Sequence, residues 1–357
     1  MLDRFMAGLA VLRPRTIMQL RKSVDNSSHD LRDLADAVKT LSEKIAALQS
    51  TIDQQGRDIA AVRTRESQLR AIAQRNVDFE DREQELDALL DDPTMPLHIA
   101  DAIARAQMRD HPCPYTVIDN FLPDRFYRAL IAGLPPVELF ADQPPNSQQL
   151  NVPLQVAPDY CRRIWQFMAE TVVTRMMMPA LVEKFRQPLS EWIRLSFPVP
   201  DDDPLAALTL TSSDGRILLR TNGYVIPPHR DPKWGFITCI LYLAKSGDDK
   251  RWGTDMYEVE EDNEAVGAAP HWIENKVWRL VKTVNFKKNR ALVFLNSTGA
   301  HGATIPADAE PPNLERYVYQ FRIGPDATSM AALTASLSPE RRMLWEGKRR
   351  ERQPAYR

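Results

Sequence analysis

The sequence predicts an α+β protein in which a double-stranded β-helix (jelly roll) core is buttressed by helices and preceded by a long coiled-coil helix. Residues 217–325 hold about eight short strand patterns, punctuated by Gly and Pro, with no helix signal of comparable length. Upstream, residues 159–189 carry apolar side chains at helical spacing. Earlier still, apolar residues recur at the alternating 3-4 spacing that is typical of coiled coils.

The coiled-coil pattern runs through residues 31–65. Position a holds Leu31, Val38, Ile45, Ile52 and Ile59, and position d holds Leu34, Leu41, Leu48, Gln55 and Val62. β-branched residues at a with Leu at d favour two parallel strands. Because a lone helix would leave this seam in water, we expect a homo-oligomer through residues 31–65. The alternative is an intramolecular hairpin in which residues 66–92 fold back on the seam.

Composition shifts divide the chain into four predicted ranges. Residues 1–92 form an N-terminal segment and the coiled coil, and a Pro-containing break opens a linker at 93–114. The jelly-roll domain follows at 115–326, and a basic tail at 327–357. Within the domain, residues 135–158 are rich in Pro, Gln and Asn, which indicates a long binding loop. An acidic insertion at 257–265 is expected at the mouth of the barrel.

Charge and cysteine content narrow the class of protein. A formal net charge of −2 argues against a chain organised around nucleic acid. No apolar run approaches the ~20 residues of a membrane-spanning helix, so no transmembrane segment is expected. Three widely spaced cysteines give no disulfide framework and suit a reducing compartment. We therefore expect a cytoplasmic protein.

Three side chains in the predicted barrel have the character of metal ligands. His229 and Asp231 are two residues apart, so in extended chain both side chains project to the same side. His301 follows a later apolar strand. Two imidazoles and one carboxylate leave the opposite face of a metal open, as in non-haem Fe(II) oxygenases, whereas a structural zinc site would be closed. The alternative interpretation is a pair of hydrogen-bonded histidines within the sheet.

A cationic side chain follows the second histidine. Arg316 begins a strand in which Arg316, Val318, Gln320 and Arg322 share one side, while the aromatic residues share the other. A guanidinium deep in a barrel is costly without a carboxylate partner. Since no acidic residue lies in these strands, the carboxylate of a ligand is the natural partner.

Together these residues resemble the 2-oxoglutarate/Fe(II)-dependent dioxygenases. The strand T-C-I-L-Y-L, residues 238–243, resembles the prolyl 4-hydroxylase-like branch of that superfamily. The resemblance implies that His229, Asp231 and His301 bind Fe(II), and that Arg316 and Tyr242 contact the distal carboxylate of 2-oxoglutarate. The interval from His301 to Arg316 is longer than the nine or ten residues common in prolyl hydroxylases, so Arg322 and Arg220 stay open as alternative anchors.

The resemblance also implies an activity: hydroxylation of a C–H bond with release of succinate and CO₂. Fe(II) and 2-oxoglutarate are the implied cofactor and cosubstrate, and ascorbate is a further candidate. The substrate is unidentified, with a small molecule, a glycan and a peptidyl residue all open. Two other functions remain: a catalytically silent jelly roll that acts as a binding or scaffold protein on its coiled coil, and a cupin-type metalloenzyme that does not use 2-oxoglutarate.

Overall fold

A computed structural model describes residues 14–199, 203–260 and 278–346. The chain divides into two compact units, Met1–Glu66 and Ser67–Arg357. Most of the predicted acidic insertion and the end of the basic tail lie outside the described residues.

The first long helix, α1, spans Pro14–Phe79 without a break. The nine apolar seam residues between Leu31 and Val62 are all 54–67% exposed. The hairpin alternative is not found, because α1 has no turn after residue 66 and because Leu86 and Leu89 are buried in the core of the second unit. Self-association through the seam stays a prediction.

The second unit contains the remaining helices, which form one layer. Their bounds are α2 Glu83–Leu90, α3 Met95–Arg105, α4 Asp124–Ala132, α5 Asp159–Phe167, α6 Met178–Lys184, α7 Arg186–Ser196, α8 Ala327–Ala335 and α9 Pro339–Glu346. A π-helical segment, Met168–Met177, joins α5 to α6. The helical stretch predicted from residue 159 is therefore present and extends to Ser196.

Eleven strands lie within the described part of this unit. They are β1 Met108–Arg109, β2 Tyr115–Asp119, β3 Gln149–Asn151, β4 Leu210–Arg220, β5 Val225–His229, β6 Ile237–Tyr242, β7 Thr254–Val259, β8 Trp278–Val284, β9 Arg290–Leu295, β10 Ala300–Thr304 and β11 Arg316–Pro325. All pairings are antiparallel. The larger sheet has the order β1-β2-β9-β6-β11-β4-β3, and the smaller has β5-β10-β7-β8. From β4 to β11 the chain alternates between the sheets, except that β7 and β8 pair with each other in the smaller sheet, and this is the jelly-roll arrangement that the sequence predicted.

Each face of the larger sheet buries a different set of residues, as the alternation of side chains requires. One face packs on the helices through Tyr317, Tyr319, Phe321 and Ile323 of β11. The other face turns Val318 toward the smaller sheet, where it joins a cluster with Tyr242 of β6 and Met256 of β7. The predicted division of the β11 side chains is therefore confirmed.

No helix among the described residues combines the length and the apolar character needed to cross a bilayer. The three cysteines, Cys113, Cys161 and Cys239, are buried and unpaired.

Candidate metal centre

The two histidines face each other across the smaller sheet. Strands β5 and β10 pair antiparallel with His229 directly opposite His301, and the ring centroids are 4.2 Å apart. The ring of Phe294, on β9 of the larger sheet, lies 4.7 Å from the His301 ring. The histidine pair therefore lies between the two sheets.

The carboxylate that completes the cluster comes from the turn after β5. Each of His229, Asp231 and His301 offers one possible ligand atom, and these three atoms lie within 4.8 Å of one another. No other His, Cys, Asp or Glu in the described parts of the chain joins this group. The structure thus brings together the three residues that the sequence predicted as ligands, although they span more than seventy positions.

The protonation states of the cluster suit a divalent cation. The Nδ1 atom of His229 lies 2.9 Å from the carbonyl oxygen of Pro227, so Nδ1 carries the proton and Nε2 carries the lone pair. Burial lowers the pKa of His301 well below its usual range, and the nearby His229 lowers it further. His301 is consequently neutral near pH 7, as metal coordination requires.

Asp231 is a buried carboxylate that stays ionised. Burial alone would raise its pKa, but the guanidinium of Arg322 and the two imidazoles lower it, and the net pKa lies well below the usual range. Arg322 forms an ion pair with Oδ1 of Asp231, and the hydroxyl of Thr238 donates a hydrogen bond of 2.5 Å to Oδ2. Oδ2 is also 3.9 Å from Nε2 of His301, which identifies it as the oxygen that faces the imidazoles.

A buried amide fixes the turn that carries Asp231. Asn296, which follows β9, accepts a hydrogen bond of 3.1 Å from the backbone N–H of Asp231. Its Nδ2 atom donates to the carbonyl oxygens of Asp231, Pro232 and Gly235 at 2.9–3.2 Å. Arg230, between the two ligands, is 1% exposed and donates to the carbonyl oxygens of residues 298 and 299. Arg230 therefore packs against the backbone.

The donor set fits an Fe(II)-type ion. Two imidazole nitrogens and one ionised carboxylate oxygen on one side of a cation form the two-histidine, one-carboxylate arrangement, which leaves the other coordination positions for exogenous ligands. The ion pair with Arg322 does not conflict with this arrangement, because it uses Oδ1 while Oδ2 faces the histidines.

Arg316 is the first residue of β11 and is buried. An acidic side chain lies beside it. Its Nη1 atom lies 3.4 Å from Oδ2 of Asp248, in the loop between β6 and β7, and its guanidinium lies 4.7 Å from the ring centre of Phe286. Its Nε and Nη2 atoms are buried without a hydrogen-bond partner among the described residues. Burial lowers the pKa of Arg316, and Asp248 opposes that effect.

A second cation, Arg220, lies directly opposite Arg316 on the paired strand β4. Arg220 is 6% exposed, donates a long hydrogen bond of 3.4 Å to the carbonyl oxygen of Gly253, and has a buried Nε without a partner in the described chain. Its charge lowers the pKa of both His301 and Tyr242. Two like charges at facing positions repel each other unless an anion lies between them.

Tyr242, the second predicted anchor, points into the same space between the sheets. Its hydroxyl lies 3.3 Å from the carbonyl oxygen of Val284. Burial raises the pKa of Tyr242 to about 12. The phenol is therefore protonated near neutral pH and can donate to a carboxylate.

Three contacts with Asp231 were not predicted from the sequence: those made by Thr238, Asn296 and Arg322. Thr238 lies two and four residues before Ile240 and Tyr242, so strand alternation alone would have placed it on the inner face. Arg322 shares the inner side with Arg316, and its partner depends on the pairing of β11 with β6. Asn296 follows an apolar strand, and no local signal in the sequence indicates its contacts with residues 231–235.

No family model and no curated protein matches the chain by sequence. Among solved structures, a Pseudomonas putida prolyl-4-hydroxylase aligns with 16% identity over 65% of this chain and 100% of its own, at a TM-score of 0.35. HygX from Streptomyces hygroscopicus, solved with nickel and 2-oxoglutarate bound, aligns with 12% identity over 60% of this chain and 83% of its own, at a TM-score of 0.36.

A prolyl hydroxylase from Trichoplax adhaerens, solved with a hypoxia inducible factor peptide fragment, aligns with 11% identity over 66% of this chain and 91% of its own, at a TM-score of 0.35. The structures that resemble this chain thus include two prolyl hydroxylases and a protein solved with nickel and 2-oxoglutarate bound. At such TM-scores these likenesses carry no argument about chemistry, which depends on the residues described above.

The ion pair between Arg322 and Asp231 gives a prediction about stability. We expect Arg322→Met to lower the free energy of unfolding of the metal-free protein by about 3–5 kcal/mol, because a buried carboxylate loses its counter-charge. Arg322→Lys, which keeps a cation, should lose less. Added Ni²⁺ should restore part of the loss in the Met variant by supplying positive charge beside Oδ2. Thermal unfolding followed by near-UV circular dichroism, with and without Ni²⁺, measures all three effects; equal melting of the Met and Lys variants would contradict the prediction.

Proposed function

We propose that this protein is a 2-oxoglutarate- and Fe(II)-dependent dioxygenase that hydroxylates a C–H bond of its substrate and releases succinate and CO₂. His229, Asp231 and His301 are the proposed iron ligands. The proposal also assigns residues 115–326 as the catalytic domain. The observation that carries it is the convergence of two imidazoles and one ionised carboxylate within 4.8 Å, between the sheets of a jelly roll.

The cationic end of the same space supports 2-oxoglutarate as the cosubstrate. A dicarboxylate can bind a metal at one end and a guanidinium at the other, and a planar guanidinium accommodates a carboxylate through two hydrogen bonds. Arg316 and Tyr242 are the proposed contacts of the distal carboxylate. Arg220 is the alternative cation, because it has no acidic partner among the described residues and its charge acts on both Tyr242 and His301.

Fe(II) with 2-oxoglutarate supplies the oxidising chemistry when bound, and the residues of this chain hold and orient the reactants. Pro227 fixes the ring of His229, while Arg322 and Thr238 fix the carboxylate of Asp231. The apolar side chains between the sheets, such as Phe294 and Met256, exclude water from the space beside His301. Such exclusion keeps the oxidation directed at the substrate.

The loop at residues 135–158 is the proposed substrate element. It is ordered by a reciprocal pair of hydrogen bonds between Gln143 and the backbone of Gln149, at 2.8 and 2.9 Å. The side chain of Asn146 accepts a hydrogen bond of 2.8 Å from the backbone N–H of Val225, on the strand that ends in His229. The loop is thus attached to the ligand-bearing strand. Peptides, small metabolites and glycans are the classes to screen for stimulated succinate release, with ascorbate present.

The proposal includes self-association of the chain through residues 31–65. The support is the apolar seam of α1, which stays exposed along its length. A coiled coil would present more than one copy of the catalytic domain to the same target.

The ligand assignment predicts the loss of metal binding in a single variant. We expect His229→Ala to weaken Ni²⁺ binding at least about 100-fold, since even changes to residues behind the ligands cost 10- to 100-fold. It should also abolish iron-dependent conversion of 2-oxoglutarate to succinate. His29→Ala, a change of a histidine exposed on α1, is the matched control and should change neither. Titration calorimetry and succinate assays test both effects. Unchanged Ni²⁺ binding in His229→Ala would support the catalytically silent scaffold instead.

The anchor assignment predicts a defect that is specific to the cosubstrate. We expect Arg316→Ala to weaken metal-dependent 2-oxoglutarate binding about 10- to 100-fold, because a charge-assisted hydrogen bond contributes about 1.5–3 kcal/mol. Ni²⁺ affinity should be unchanged, and the KM for 2-oxoglutarate should rise in parallel. Arg220→Ala is the comparison variant. A loss confined to Arg220→Ala would transfer the anchor to β4, and Ni²⁺ binding without any 2-oxoglutarate binding in the unsubstituted protein would favour a cupin-type metalloenzyme.

A further inference from the structure

The N-terminal part of α1 has a long stretch without any tertiary packing. Every residue from Ile17 to Arg63 is exposed to solvent in the described part of the chain. Isolated helices gain little stability from propensity alone, and most helical stability in proteins comes from the packing of an apolar face. A partner that covers the apolar face is therefore needed to stabilise this helix.

The exposed apolar face extends further upstream than residue 31. Ile17 and Val24 fall at position a of the same heptad register and Leu20 falls at position d, with exposed fractions of 46–61%. The seam therefore runs from Ile17 to Val62 over nearly seven heptads, about 68 Å of helix at 1.5 Å per residue. A strict seven-residue repeat maintained over this length is the pattern of a supercoiled pair of helices rather than of one helix on a flat surface.

We propose that a second copy of this chain covers the seam, in a parallel, in-register, two-stranded coiled coil from Ile17 to Val62. Six of the seven a positions hold Ile or Val, the exception being Leu31, and four of the seven d positions hold Leu. β-branched residues at a with Leu at d select two strands rather than three or four in parallel coils.

Two polar residues within the seam specify the direction. Ser27 and Gln55 occupy d positions, whereas all seven a positions are apolar. In a parallel, in-register pair, d meets d, so each polar residue meets its own copy and can hydrogen-bond to it. In an antiparallel pair, a meets d, so both polar side chains would be buried against apolar residues at a cost in free energy. Only the parallel arrangement gives both Ser27 and Gln55 a polar partner.

The flanking positions agree with this direction. In a parallel pair, position g of one helix contacts position e of the next heptad on the other helix. Asp58 at g then meets Arg63 at e of the second copy, which is an attractive pair. The other charged residues at these positions, such as Asp30 and Lys44, meet uncharged residues, Ala35 and Gln49. No like-charged pair arises.

An occupant from the same chain is not available among the described residues. Helix α1 continues to Phe79 without a turn, and the apolar residues that follow, Leu86 and Leu89, are buried in the core of the second unit. The heptad pattern of the seam therefore fits a second copy of this chain as the partner.

Cysteine cross-linking tests both the dimer and its direction in the full-length chain. Leu20→Cys and Val62→Cys place a thiol at each end of the seam, at d positions, and Ser50→Cys places one at the outward position f as the control. The native cysteines are buried and do not interfere. We expect sedimentation at twice the mass of one chain, with mild oxidation that cross-links the Leu20→Cys and Val62→Cys proteins each to itself and leaves Ser50→Cys uncross-linked.

Other outcomes would overturn the inference in separate ways. A monomer at tens of micromolar chain would exclude the coiled coil. Cross-linking of the Leu20→Cys protein only with an Ile59→Cys protein, which places a d position opposite an a position, would establish an antiparallel pair. A charge inside the seam, Ile45→Asp, should convert the dimer to a monomer, whereas Ala46→Asp at the outward position b should not. None of these measurements uses enzymatic activity, so the inference stands or falls independently of the proposed oxygenase function.

Discussion

The architecture of the centre depends on one buried charge, the carboxylate of Asp231. A carboxylate that is 2% exposed is tolerated only when hydrogen bonds and opposite charges surround it. Arg322 and Thr238 provide them from adjacent strands of the larger sheet, while Asn296 holds the turn. Because these groups come from β11, β6 and the end of β9, the carboxylate is correctly placed only when the larger sheet has formed, whereas the two histidines lie on the smaller sheet. The ligand geometry is therefore a property of the whole barrel and not of the His-x-Asp segment alone.

Much of the fold could be predicted from the alternation of apolar and polar residues along the strands and from the Gly and Pro residues between the strands. Strand β11 illustrates why: its four aromatic or aliphatic residues pack on the helices, and its arginines and Gln320 face the other sheet, as the period of two requires. Strand β4 begins at Leu210, whereas the sequence predicted strand structure only from residue 217. The first half of β4 carries Thr, Ser and Gly, which do not give a clear alternation of apolar and polar residues. The predicted loop at 135–158 contains the short strand β3, which is stabilised by pairing with β4 and not by its own three residues.

The centre itself was only partly visible in the sequence. The three ligand candidates carry a local chemical signature, whereas the groups that hold them do not. The partner of Arg322 depends on which strand lies beside β11, and the partner of Arg316 is an aspartate in a loop that precedes it by almost seventy residues. Asn296 makes four contacts with one turn, and an asparagine after an apolar strand is compatible with many other roles. Long-range pairing decides such contacts, and a single sequence does not report it.

The aspartate beside Arg316 has a consequence for any diacid that binds there. Asp248 is covalently part of the protein, so its carboxylate is present at a high effective concentration next to the guanidinium. An incoming dicarboxylate therefore competes with an internal acid for the same cation, and its affinity reflects the difference between two ion pairs rather than the strength of one. Removal of that internal competitor would tighten binding of the diacid, while any contact that draws the β6–β7 loop away would do the same without a change in the barrel.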